Sequence, residues 1–239
     1  MHPTQADGTE VAVLVPAAGR GTRLGGRRKQ FRTLGGKPLL VQTLQAFERH
    51  PSVTHLIVAA PHDDVDAVSD RLRAEGITKL SAVVSGGDSR RASVRHALRA
   101  VPRAINVVLV HDAVRPFIPA TAIQAVITAV RKQGAGALAI PVADTLRRGA
   151  SGTFGDTVPR DDLFRMQTPQ GFRHDWLADA HRAAAASDAS ATDDVALVQR
   201  LGHPVHIVEG DPRNFKITTP GDWTLAQQVW PDWAHTHVS

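Results

Sequence analysis

The segment Val15-Pro16-Ala17-Ala18-Gly19-Arg20-Gly21-Thr22-Arg23-Leu24-Gly25-Gly26 runs into Arg27-Arg28-Lys29-Gln30, so small residues and glycines follow an apolar run and carry five cations. Successive backbone N–H groups in such a loop converge on an anion, and glycine lets the backbone approach it closely. A polyphosphate with about four negative charges would gain charge-assisted hydrogen bonds there. The bland alternative is a solvated basic turn, which needs neither the small-residue run nor the strand before it. Spacing excludes two familiar phosphate loops. The GxGxxG fingerprint would need glycine where Leu24 stands, and GxxxxGK[ST] could begin only at Gly21, where Arg27-Arg28 follow Gly26. Neither dinucleotide binding nor Walker-type chemistry follows.

Three further segments place chemistry after apolar runs. In Val108-Leu109-Val110-His111-Asp112-Ala113-Val114-Arg115-Pro116 the run empties into Asp112, with Arg115 three residues on. A carboxylate at a strand's C-terminal end, beside a polyphosphate loop, suits Mg²⁺, which prefers carboxylate plus phosphate oxygens. It also suits a helix N-cap, and these residues alone leave both open. His111 reads as a structural residue under the sheet rim. In Ser85-Gly86-Gly87-Asp88-Ser89-Arg90-Arg91-Ala92-Ser93 the Gly pair permits close ligand approach, and Asp88 and Ser93 can read a base edge, while Asp88 or Ser89 can equally cap the helix that follows. Glu209 to Thr218 places Lys216, one of five Lys against 23 Arg, after the last apolar run. There is no GxSxG, HExxH or CxxC, and the His203/His206 and His235/His237 pairs read as surface residues.

The elements that must position these residues alternate. Short β-branched runs at Val11 to Val15, His55 to Ala59, Leu80 to Val84, Val107 to Val110, Ala137 to Val142 and Val205 to Val208 alternate with helical patterns. Those patterns are Leu39 to Arg49, Asp64 to Ala74, Ser89 to Ala100, Ala120 to Lys132, His174 to Ala186, Asp193 to Leu201 and Thr224 to Val229. The order predicts βαβ units and a mostly parallel sheet flanked by helices. Asp144 to Pro159 is poor in apolar residues, with turn material at Gly149 to Gly155, and reads as an exposed hairpin. A two-stranded ribbon is at best marginal alone, so the arm, about residues 143–168, is expected to pack on another subunit. Residues 1–10 and 231–239 read as tails around a single domain at 11–230.

The chain has 239 residues, 42% hydrophobic and 21% charged, with no Cys. It is long enough to bury about 70% of its unfolded surface. The absence of Cys excludes thiolate catalysis, thiolate metal sites and a disulfide scaffold, and a cytoplasmic address is the expectation. No apolar stretch nears the ~18 residues of a membrane span, and Met1 to Glu10 lacks the pattern of a signal peptide. The formal charge of +5 is dispersed among acids apart from Arg23 to Arg32, which reads as a pocket for a compact anion and not a nucleic-acid stripe.

Taken together, PAAGRGTRL with Lys29-Gln30, GGDSRRASV, HDAVRP, DTLRR, TPQGF, ATDDVALV and EGDPRNFKIT occur in the order and spacing of the 2-C-methyl-D-erythritol 4-phosphate cytidylyltransferases. The resemblance spans residues 11 to 229 and implies a Rossmann-like α/β fold of the nucleotide-diphospho-sugar transferase type, with a homodimer interlocked through the hairpin arm. It implies transfer of CMP from CTP to methylerythritol phosphate with Mg²⁺ or another divalent cation, and pyrophosphate release. It further implies that Ala17, Ala18, Gly19, Arg20, Gly21, Thr22, Arg23 and Lys29 hold the triphosphate, with Arg23 and Lys29 tied most directly to catalysis. Gly87, Asp88 and Ser93 match cytosine-reading positions, Asp112 (followed by Ala113) a position near ribose and metal, and Lys216 one that reaches phosphates. Arg115, Thr145, Arg160 and Thr168, together with Asp112 and Lys216, match positions around methylerythritol phosphate. The sequence departs from the family at Arg28, where Pro is common. Enzymes for another polyol phosphate, such as ribitol 5-phosphate, share the same motifs, and a non-catalytic nucleotide-binding module would need only the loop.

Overall fold

A computed structural model describes residues 10–19, 28–186 and 193–237. A seven-stranded sheet forms its centre: β1 (Val11–Pro16), β4 (Val53–Ala60), β5 (Leu80–Ser85), β6 (Val107–Val110), β7 (Ala135–Pro141), β10 (Phe164–Arg173) and β11 (His206–Glu209). The order is β11-β7-β10-β6-β1-β4-β5, with β10 antiparallel to both neighbours and the other pairs parallel. β1, with the pattern VAVLV buried throughout, sits between β4 and β6, in register Val13 to Leu56 and Val13 to Leu109. A strand buried on both faces has no use for polar alternation, which is why these runs are apolar throughout.

Alternate residues of β1 divide between two cores. Val11, Val13 and Val15 face α1 (Leu39–Glu48), α2 (Val65–Ala74) and α4 (Ala120–Gln133). Ala12 and Leu14 face α3 (Arg90–Leu98), α5 (His174–Ala185) and α6 (Asp194–Gln199). In α1 the buried Leu40, Leu44 and Phe47 recur at helical spacing, and each such side chain contributes about 1.5–3 kcal/mol by leaving water. A third core joins Phe117 and Ile217 to Trp230 and Trp233 of α7 (Pro220–His237) and to Leu34 of a short ribbon, β2 (Thr33–Leu34) with β3 (Lys37–Pro38). At Gly35, φ is +56° and a Cβ would lie 1.7 Å from the Trp230 indole, so only glycine fits.

The expected strands and helices are present within a few residues, and the sheet is mostly parallel. Three expectations change. The projecting arm consists of β8 (Leu146–Ala150) and β9 (Thr153–Val158), a sheet of its own; residues from Phe164 onward belong not to it but to β10, inserted between β6 and β7. The expected tail from 231 is helix through His237, continuing past Pro231 because Trp233 is buried against Phe117. The ribbon β2–β3 was not anticipated. Most of the expected N-terminal tail lies outside the described residues.

Candidate functional site

The C-terminal ends of β1, β4, β5 and β6 open onto one cavity of about 700 Å³, the place where open parallel sheets bind ligands. Its walls bring together Ala17, Ala18, Gly19, Lys29, Gly87, Asp88, Ser93, Asp112, Ala113 and Lys216. Arg20, Gly21, Thr22 and Arg23 lie outside the described residues. A larger hollow of about 860 Å³, between Arg103 and Trp176, lies at the opposite strand ends and holds none of the expected residues.

The loop after β1 is closed at its base by Gln30. Its buried side-chain amide donates to Ala17 O at 2.5 Å and to Gly19 O at 3.1 Å, tying the loop's start to the turn that carries Lys29. Arg28 pairs with Asp64 beside α2, so the turn just before Lys29 is held by an ion pair. On the facing wall, Ser93 Oγ accepts from Gly87 N–H at 3.1 Å and donates to Ser89 O at 3.0 Å, which fixes the Gly86-Gly87 turn. A Cβ on Gly86 would stand 2.3 Å from that of Ala18, so glycine is what lets the two loops touch. Ser89 caps α3 through Ala92 N–H, which leaves exposed Asp88 free of that duty.

Asp112 lies at the floor, with only 9% of its side chain exposed, and three cations surround it. Arg90 Nε is 3.2 Å from Oδ1; Arg115 Nε and Lys216 Nζ are 3.3 and 3.0 Å from Oδ2. Burial pushes its carboxyl pKa up, but Lys216, Arg90 and Arg115 outweigh burial and hold it well below the usual carboxylate range. Asp112 caps no helix: a turn follows it, and α4 begins only at Ala120, after Pro119. Thr168 Oγ1 accepts the Asp112 N–H at 3.0 Å and sits 3.1 Å from His111 Nδ1. His111, fully buried, also meets Arg115 O through Nε2 at 3.0 Å, and burial lowers its pKa to about 4. It is the structural residue that its place in the sequence indicates.

Arg115 and Thr168 therefore adjoin the cavity as supports of Asp112. Arg115 also donates to Asn214 O at 2.7 Å and to Met166 O at 3.4 Å. Thr145 and Arg160 sit on and beside the arm, exposed, and do not line this cavity within one chain. Arg160 donates to Ala143 O at the arm's base. Arg90, Gln30 and Asn214 were not singled out from sequence. Each lies inside a quoted motif, but nothing local marks its partners.

Counting Arg90, Arg115 and Lys216 against Asp112 and Asp194, the floor has one net positive charge, which suits a phosphate chain. Among the described residues no three His, Cys, Asp or Glu gather to hold a metal. One carboxylate with substrate phosphates is nevertheless a normal Mg²⁺ donor set, and Oδ1 of Asp112 meets Arg90 while Oδ2 meets both Arg115 and Lys216, so the less crowded oxygen fits a cation shared with a triphosphate.

The profile of the 2-C-methyl-D-erythritol 4-phosphate cytidylyltransferases matches residues 11–231. A protein of that name from Salinibacter ruber is 63% identical over 223 residues, covering 93% of this chain and 94% of the relative. One from Deinococcus radiodurans is 42% identical over 230 residues, covering 96% and 93%. The crystal structure of the Thermus thermophilus cytidylyltransferase superposes with a TM-score of 0.78 at 34% identity, over 91% of this chain and 98% of that one. The 4-diphosphocytidyl-2C-methyl-D-erythritol synthase of Anaerococcus prevotii gives 0.82 at 28% identity, over 94% and 100%.

Proposed function

Because the chain belongs to the 2-C-methyl-D-erythritol 4-phosphate cytidylyltransferase family, we propose that the cavity around Asp112 is where it performs that family's reaction. The chain is an enzyme of the non-mevalonate pathway: it transfers CMP from CTP to 2-C-methyl-D-erythritol 4-phosphate, giving 4-diphosphocytidyl-2-C-methyl-D-erythritol and pyrophosphate.

The attacking group is a phosphate monoester, already anionic near neutral pH, so no general base is required. His111 is not placed to be one, since both its ring nitrogens are engaged and burial keeps it neutral. The barrier is repulsion between two anions and charge growing on the α-phosphate during in-line displacement. Lys29 and Arg23 stabilise that phosphorus, Ala17 to Thr22 cradle the triphosphate, and Lys216 swings its half-exposed ammonium from Asp112 to the phosphates. Gly87, Asp88 and Ser93 read the cytosine edge. Asp112, together with phosphate oxygens, would hold a divalent cation, which would supply neutralisation of charge on the leaving pyrophosphate.

Arg115, Thr168 and Asp112 border the acceptor, and Thr145 and Arg160 reach it from a neighbouring subunit's arm. The arm supports a homodimer: Phe154 at its tip is 85% exposed, and Leu163, Phe164 and Met166 at its base are exposed too. Large apolar side chains on a two-stranded ribbon gain burial only from a partner. Among the described residues no helix is long and apolar enough to cross a membrane, and we place the enzyme in the cytoplasm.

The observation that carries this reading is the convergence of Lys216, Arg90 and Arg115 on Asp112 beside the loop after β1. Pyrophosphate release from CTP, with methylerythritol phosphate and ribitol 5-phosphate compared, tests it in wild type and Lys216→Ala. The first acceptor is preferred and Lys216→Ala is slowed at least tenfold; unchanged release in Lys216→Ala would remove Lys216 from the site.

A further inference from the structure

Lys216 and Arg115 reach Asp112 from segments about a hundred residues apart, and one buried side chain lies between them. Asn214 is 0% exposed. Its Nδ2 donates to Thr168 O at 2.8 Å and to Gln167 Oε1 at 3.3 Å, while its backbone carbonyl accepts from Arg115 Nη1 at 2.7 Å. Gln167 in turn donates to Asp211 O at 2.8 Å, so the segment before Asn214 is tied to β10 as well. Three residues on, Ile217 N–H donates to Val114 O at 3.0 Å. Phe215 and Lys216 are thus suspended between two fixed points, with Phe215 stacked on Phe117 at 5.2 Å and Lys216 directed to Asp112.

We propose that Asn214 is a positioning residue of the transfer site: its side chain locks the backbone that bears Lys216, on the nucleotide side, to Gln167 and Thr168 of β10, and so aims its own backbone carbonyl at Arg115, on the acceptor side, so that the two substrates are held in one frame. An asparagine in this place is costly, since among the described residues its buried Oδ1 has no hydrogen-bond partner. Apolar packing would fill the same space without that cost, but it would not set the direction of the backbone that presents Lys216. The effect on the reaction rests on the role given to Lys216 above; the effect on the position of Lys216 does not.

The test uses wild type, Asn214→Ala, Lys216→Ala and the double variant. Thermal unfolding, pyrophosphate release and the lysine side-chain NMR spectrum, which has only five residues to assign, are recorded for each. Misplacing a reacting group by about 1 Å can cost around 10²-fold, so Asn214→Ala lowers kcat by about tenfold or more. The same change costs less than about twofold once Lys216 is gone, because one function has already been lost. The Lys216 resonance shifts in Asn214→Ala while the other four stay in place. An equal loss in both backgrounds, or an unmoved Lys216 resonance, overturns the proposal. A moved resonance with full turnover in Lys216→Ala leaves the positioning in place and overturns the catalytic role of Lys216 instead. If Asn214→Ala does not fold, the same readouts on Gln167→Ala decide the matter: a shifted Lys216 signal and about threefold slower turnover support the proposal, and neither change refutes it.

Discussion

Arg90 Nη1 lies 2.7 Å from Asp194 Oδ2, and the same guanidinium turns its Nε to Asp112 at 3.2 Å. Asp194 is itself buried and takes a second bond from His181 Nε2 at 2.9 Å. A line of alternating charge therefore runs from Lys216 through Asp112 and Arg90 to Asp194, carrying the order of the α3 and α6 helices into the cavity floor.

The planar fork of arginine can serve two carboxylates at fixed angles, whereas an ammonium is a point donor on a flexible stem. Arg90→Lys should therefore lower kcat/KM for CTP by about tenfold or more by loosening Asp112. Steady-state pyrophosphate release measures it. Wild-type turnover in this variant would mean that Asp112 is held well enough by Arg115 and Lys216.

Burial raises the Asp194 pKa, but the hydrogen bond from His181 and the charge of Arg90 outweigh it, and the carboxyl is depressed in the folded state. Such a group adds stability that is present above the unfolded carboxylate value, about 3.9, and disappears as pH falls through the folded value. Asp194→Asn should cost about 3 kcal/mol at pH 7, since it removes one of the two buried carboxylates that Arg90 serves and leaves Asp112 as the other. Its deficit should shrink in acid. Urea unfolding at pH 7 and pH 3 provides the comparison, and a deficit independent of pH would contradict the ionised state at neutrality.

Removing one preorganised cation from developing charge typically costs 10²–10³-fold in turnover. Lys29→Ala at saturating CTP is expected to lose about that much in kcat. Near-normal kcat would show that Lys29 is not at the reacting phosphorus.

If Arg160 serves the neighbouring subunit, the two kinds of lesion complement each other. Heterodimers with Arg160→Ala on one subunit and Lys29→Ala on the other should regain one competent site and about half of wild-type activity. Recovery of none rejects sharing across the interface.

Phe154, 85% exposed at the arm's tip, makes a simple test of association. Phe154→Asp should weaken the dimer with little change in monomer stability, because a fully solvated side chain has almost no folded-state contacts to lose. Sedimentation across a concentration series reads it, and an unshifted profile would place the interface elsewhere.

The parallel strands and their helices were legible in the sequence because each is a local pattern: Val11 to Val15 is apolar throughout, and Leu40, Leu44 and Phe47 recur at helical spacing. The cavity was legible for the same reason, since Ala17, Gly87 and Asp112 each follow a strand end. β10 escaped because Gln167, Thr168, Pro169, Gln170 and Gly171 have neither alternation nor an apolar run, and only its neighbours β6 and β7 make them a strand. The C-terminal helix was legible only over Thr224 to Val229, because Pro231 breaks the local pattern, while the burial of Trp230 and Trp233 that carries it on to His237 is a tertiary effect. Arg90 and Asn214 escaped for a related reason. Their deciding partners lie 104 and 46 residues away, a distance at which no spacing rule operates.

Trp230 of α7 packs against the ribbon that follows Lys29, and Trp233 packs against Phe117 beside the segment bearing Lys216. Translation delivers the loop after β1 early and this helix last among the described elements. A nascent chain still on the ribosome can pair β1 with β4 but cannot brace its two lysine-bearing segments against each other. Competence for cytidylyl transfer is thus acquired after synthesis has passed the final tryptophans, and a chain released before Trp230 would retain most of its sheet yet lack the aromatic brace behind the segments that carry Lys29 and Lys216.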